Sequence, residues 1–174
     1  KVADVQACSD LLHVRDTFNL GFYVAKGLML EAGDDPDSMA HAAALMFLTM
    51  NSSAYRYRRP PNDLKSSLAA VFHERLPEVQ VVRHENIDQD LSKEVATAIR
   101  CLYNDLEPQA GPIGAGKTCH LIALRLCPLW DTSILQQEYG LTIRDDSYNA
   151  ARYVAVLKAS SSQVKKLRQE APGL

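Results

Sequence analysis

Apolar side chains along this chain recur at intervals of three and four, and that rhythm predicts helices rather than strands. A first helix fits Val2 to Val14, and a second fits Leu20 to Glu31, stopped by Ala32, Gly33 and the turn Asp34, Asp35, Pro36. Asp37 or Ser38 can cap a third. There Met39, Ala43, Met46, Phe47 and Met50 recur at helical spacing while Ala42, Leu45 and Leu48 fill further faces. A helix apolar almost all round belongs at the centre of a fold.

Pro60 and Pro61 break the chain after Arg56, Tyr57, Arg58 and Arg59, and Asn62 can cap a helix from Asp63 to about Arg75 with Leu64, Leu68, Val71 and Phe72 as its stripe. Val79 to Val82 is the best strand candidate, a four-residue run after Pro77. Another helix begins near Asp88 or Asp90 and carries Leu91, Val95, Ala98, Ile99 and Leu102 until Pro108 and Gly111 interrupt it. The remainder reads as a helix, a break at Pro128, a helix from Asp131, and two more from about Asp146 and Ser160. No repeat or interdomain linker appears, so the expected fold is all-α: one irregular helical bundle spanning residues 1–174.

Composition narrows this picture. With 174 residues and 47% hydrophobic content, the chain can fill a single core. No run approaches the roughly eighteen apolar residues of a membrane helix, so a soluble protein, taken as a monomer, is expected, and nothing near Lys1 reads as a signal peptide. Cys8, Cys101, Cys119 and Cys127 form no CxxC pair, which argues against a zinc ribbon or iron–sulfur cluster and for buried, reduced thiols, with no metal or cofactor. This cysteine usage points to the cytoplasm. Net charge is −2, yet from Gly111 onward eight Lys and Arg face five Asp and Glu, reversing the acidic excess upstream. The downstream third is therefore the basic part, although helices normally wear solvated charge of this kind without a polyanion partner.

Chemistry concentrates between Gly111 and Asp131. The octet Gly111, Pro112, Ile113, Gly114, Ala115, Gly116, Lys117, Thr118 matches GxxxxGK[ST] at every fixed position. That phosphate loop requires a buried strand feeding into it, and Asn104 to Ala110 cannot be one. The same glycines fit a helix-hairpin-helix around residues 95–126: a helix ending near Asp105, a turn containing Pro112, Ile113 and Gly114, and a helix through Lys117 to about Leu126. Glycines let a phosphate approach the backbone, and amides at the second helix's start would donate to it.

Pro128 then ends that helix, and Asp131 is placed to cap the next. The stretch GPIGAGKTCHLIALRLCPLWDTSI, Gly111 to Ile134, resembles the helix-hairpin-helix DNA glycosylases, and ALMFLTMNSSAY, Ala44 to Tyr55, is a second match. The resemblance implies excision of a damaged or mispaired base from duplex DNA after the nucleotide is flipped out. It implies that Asp131 is the catalytic carboxylate and Lys117 a candidate Schiff-base nucleophile. It places Gly111, Ile113, Gly114 and Gly116 against a phosphate, with Asn51, Ser52 and Ser53 where the family fills the gap left by the flipped base.

Each assignment has a plainer counterpart. Asp131 can be only a helix cap, and Lys117 only a surface lysine. Trp130 and His120 can line a base pocket, or be a core aromatic and a hydrogen-bonded interior histidine. Tyr55, Arg56, Tyr57, Arg58 and Arg59 interleave rings and charge as a strand-gripping surface would, or form a solvated run. Arg144, Arg152, Lys158, Lys165 and Lys166 are further candidate phosphate contacts. A non-catalytic helix-hairpin-helix DNA binder and a nucleotide-binding phosphate-loop protein are the alternative functions.

Overall fold

In a computed structural model, residues 17–50, 63–129, 132–140 and 148–170 are described. Among them lie seven helices and no strand: α1 Thr17–Glu31, α2 Pro36–Met50, α3 Leu64–Glu74, α4 Leu76–Arg83, α5 Lys93–Ile122, α6 Thr132–Tyr139 and α7 Asn149–Glu170. The expected all-α bundle is present. The first expected helix, Val2 to Val14, lies outside the described residues.

Capping residues set the boundaries, and several differ by a residue or more from expectation. Helix α2 is capped by Asp35 rather than Asp37 or Ser38: its carboxylate accepts the Ser38 amide at 3.0 Å, with Pro36 at the first helical position. Those bonds to the Ser38 side chain and amide hold the Asp35 carboxyl below its usual range. Asp63, not Asn62, caps α3 by accepting the Ser66 amide at 3.0 Å and its hydroxyl at 2.6 Å. Ser92, not Asp88 or Asp90, caps α5 through the Val95 amide at 3.1 Å.

Val79 to Val82, the strand candidate, is helical. Val79 and Val82 are both buried while Gln80 is exposed, a spacing of three that serves one helical face, and Pro77 sits in the first turn, where its missing amide costs nothing. Likewise α7 runs unbroken past Ser160. Ala150, Tyr153, Val156, Leu157, Ser160 and Ser161 are buried on one continuous stripe, so two small hydroxyl residues sit inside it rather than start a new helix.

The core forms where α2 meets α1 and α3, and where α5 meets α4 and α7. Met39, Ala40, Ala42, Ala43, Met46 and Phe47 bury most of α2, as its all-round apolar pattern predicts. Arg83 fastens the end of α4 to the α1–α2 turn through the Gly33 carbonyl and Asp34, whose Oδ1 lies 3.0 Å away. At the far end of α7, Lys165 and Arg168 pair with Asp90 and Asp88 in the loop before α5. No helix among the described residues is long and apolar enough to cross a membrane.

Candidate functional site: the bend in α5 and the segment after it

Helix α5 is two helices joined at Gly111, whose φ of 70° and ψ of 170° lie in a region side chains other than glycine rarely adopt. The first arm does not end near Asp105, as expected, but continues to Ala110. Pro108 does not break it, since that residue is exposed and water can satisfy the carbonyl left without a donor. Pro112, Ile113 and Gly114 are not a free turn either. They form the first turn of the second arm, with Pro112 at the position where proline suits a helix start. That arm ends at Ile122, not near Leu126.

The chain folds back at this bend. Residues 103 and 112 would stand about 14 Å apart along a straight helix, further than a tyrosine side chain reaches. Yet the Tyr103 hydroxyl donates to the Pro112 carbonyl at 2.7 Å. The two arms are therefore angled against each other around Gly111.

Within the octet, exposure falls off after the bend. Gly111, Pro112 and Ile113 are partly exposed, whereas Gly114, Ala115, Gly116, Lys117 and Thr118 are buried. Gly114 and Gly116 are thus not surface contacts for DNA, contrary to expectation. The Gly114 carbonyl accepts the Thr118 hydroxyl at 2.9 Å, and that of Gly116 faces Tyr153. Lys117 is only 7% exposed, which removes the surface-lysine reading. The strand that a phosphate loop demands is helix here, and the Thr118 hydroxyl is turned inward on its own helix.

Two side chains fix the segment that follows α5. His120 Nδ1 lies 2.6 Å from the Cys127 carbonyl oxygen, and its ring stacks on Phe22 of α1 with centroids 5.6 Å apart at 18°. Tyr153 of α7 reaches in from the other side, its hydroxyl 3.3 Å from the carbonyl oxygens of both Gly116 and Pro128. Burial pushes His120 below the ordinary histidine range; the bond to Cys127 opposes that shift and nearby Lys26 adds to it. Cys119 and Cys127 are core thiols, as expected, and burial pushes Cys127 up to about 12. No group of three potential metal ligands occurs among the described residues.

Asp131 and Trp130 lie outside the described residues, as do Asn51, Ser52, Ser53, Tyr55, Arg56, Tyr57, Arg58, Arg59 and Arg144. Among the other candidate phosphate contacts, Arg152 bonds to Asn149, which holds Glu107 at 2.7 Å, and Lys165 is engaged by Asp90. Lys158 and Lys166 are exposed. Pattern reading missed Tyr103, Tyr153 and Phe22. Helical spacing marks Tyr153 as a buried position, but nothing local says which carbonyls its hydroxyl meets.

The comparisons supply no relative: no family model, no curated protein and no solved structure matches this chain.

Proposed function

We propose that this protein is a DNA glycosylase-like enzyme that excises a damaged or mispaired base from duplex DNA, the bend at Gly111 serving as its helix-hairpin-helix. One observation carries the reading. The Tyr153 hydroxyl joins the Gly116 carbonyl to that of Pro128, so the chain leading to Asp131 starts out against the helix that begins at the bend. The reading requires that a hairpin gripping a phosphodiester lie on the same side of the molecule as the carboxylate that acts on the sugar.

In this reading Gly111, Pro112 and Ile113 meet the backbone, because they keep exposure at a helix start whose first amides lack helical partners. Asp131, ionised, stabilises the positive charge that develops on the sugar as the glycosidic bond breaks. Water is taken as the nucleophile, hence a monofunctional enzyme without strand cleavage; the burial of Lys117 supplies the desolvation that its amine would need to attack instead.

A panel of duplexes, each with one lesion or mismatch, tests this when scored for abasic product. Base release from at least one duplex is expected, reduced about a hundredfold or more in Asp131→Asn. Release that survives the substitution unchanged would remove Asp131 from the mechanism. Salt-sensitive binding with no release from any duplex would leave a non-catalytic DNA-binding protein. Borohydride trapping of a covalent adduct would restore Lys117 as the nucleophile.

A further inference from the structure

We infer that the cavity where α1, α4 and α5 end binds a small carboxylate with an apolar body, its head on Arg125 and its chain among the neighbouring leucines. This goes beyond the glycosylase reading and does not depend on it.

Three helices stop at one place: α1 at Glu31, α4 at Arg83 and α5 at Ile122. None of them runs on to fill the junction, and a cavity of about 480 Å³ opens there. That size is usual for a small-molecule site, roughly 300–1,000 Å³. The cavity is separate from the bend at Gly111, because Ile113 and Leu121 stand about 12 Å apart along a helix axis.

The walls are apolar. Met29, Leu121 and Ile122 are buried against the cavity, Leu124 is half-buried and Leu30 is exposed. A hydrocarbon body that covered them would remove apolar surface from water.

Charge selects the head group. Four charged or titratable side chains line the cavity: Asp34, Arg83, His84 and Arg125. The first two satisfy each other. Arg83 Nη1 donates to Asp34 Oδ1 at 3.0 Å and to the Gly33 carbonyl, and Gln80 donates to Asp34 Oδ2 at 2.8 Å, so both carboxylate oxygens are taken. Arg125 and His84 have no side-chain partner among the described residues. The root of Arg125 is nevertheless fixed, since its carbonyl accepts the Ile87 amide at 2.9 Å. A guanidinium held in this way can grip a carboxylate through two parallel N–H bonds, and the His84 ring can add another.

The three helix ends act in the opposite sense, each carrying about half a negative charge. Their carbonyls are largely engaged, however. Those of Leu28, Ala32, Cys119 and Ala123 accept backbone amides, and that of Gly33 accepts Arg83. The whole charge of Arg125, with no carboxylate of the cavity left to answer it, therefore favours an anion.

Octanoate and octylamine, equal in chain length and opposite in charge, test this when titrated into the full-length protein and followed by amide NMR. Octanoate is expected to give saturable shifts centred on Gly33, His84 and Arg125, and octylamine none at the same concentrations. Arg125→Met keeps an apolar stem and removes the guanidinium, so octanoate should bind about tenfold more weakly. Leu30→Glu sets a like charge beside the cavity and should abolish binding. Both positions are exposed, so both variants should retain the helical circular dichroism of the wild type.

Absence of saturable octanoate shifts overturns the site, and so do shifts centred on Tyr23 and Val24, which would mean adsorption to the exposed face of α1. Octylamine binding as tightly as octanoate overturns the choice of an anion. Unchanged affinity in Arg125→Met removes Arg125 as the head-group contact and the proposal with it.

Discussion

The Tyr103 hydroxyl donates to the Pro112 carbonyl at 2.7 Å, closing the bend of α5 from the inside. The bond spans the one residue of the helix, Gly111, whose backbone is not helical. Bend and bond stabilise each other: glycine permits the turn, and the tyrosine selects it.

Gly111→Ala tests the first half. At φ 70° and ψ 170° a Cβ is strained wherever its neighbours lie, so the substitution is expected to cost about 1–3 kcal/mol. Urea unfolding monitored by circular dichroism measures it. A loss no larger than that of an alanine placed at an exposed helical site would mean that the bend is not held as described.

Tyr103→Phe tests the second half. The ring stays, including its contact with Tyr153 at 5.2 Å between centroids, and only the donor is lost. The expected cost is about 1 kcal/mol, the usual worth of a hydrogen bond between neutral groups. A neutral result in the same unfolding assay would show that the hydroxyl does not select the bend.

Tyr153→Phe removes a different link, between α7, the second arm of α5 and Pro128. Amide exchange at Leu129 is expected to quicken several-fold while the interior of α5 keeps its protection. Equal exchange in both proteins would show that the Pro128 segment is held by other contacts.

The pH dependence of stability has a definite sign at His120. Its folded pKa is lowered by burial, so the unfolded chain binds the proton more readily. Stability from the neutral ring is complete above about 6.5, the unfolded value, and is lost as pH falls from there through the lower folded value. Unfolding midpoints at pH 7.5 and 5.5 are expected to differ by more in the wild type than in His120→Asn. A larger pH response in the variant would reverse the assignment.

Thiol reactivity follows from burial. Cys119 and Cys127 are both 2% exposed, and burial pushes both thiols up, so neither offers thiolate at neutral pH. Cys101 is more accessible. An aromatic disulfide reagent should label Cys101 in the folded protein and reach Cys119 and Cys127 only in denaturant. Prompt labelling of Cys127 would contradict its place in the core.

The helical character of this chain was legible because apolar spacing is a local property. The stripe of Leu68, Val71 and Phe72 and the apolar faces of α2 needed no partner to be read. Short signals misled where two periods fit the same residues: Val79 and Val82 satisfy a strand's composition, but their separation of three is what the core uses. Proline was over-read at Pro108, because a single missing amide on an exposed face does not end a helix held by buried neighbours on the other.

What the sequence by itself determined is the all-α class and the central place of α2. Only the tertiary structure decided that the octet is helix, that Lys117 is buried, and that Tyr153 and His120 hold the chain after Cys127. The physical reason is range. A helix is chosen by contacts three or four residues apart, whereas the partner of a buried hydroxyl or imidazole depends on elements that meet only when the bundle closes, as Tyr153 meets Gly116 from 37 residues away.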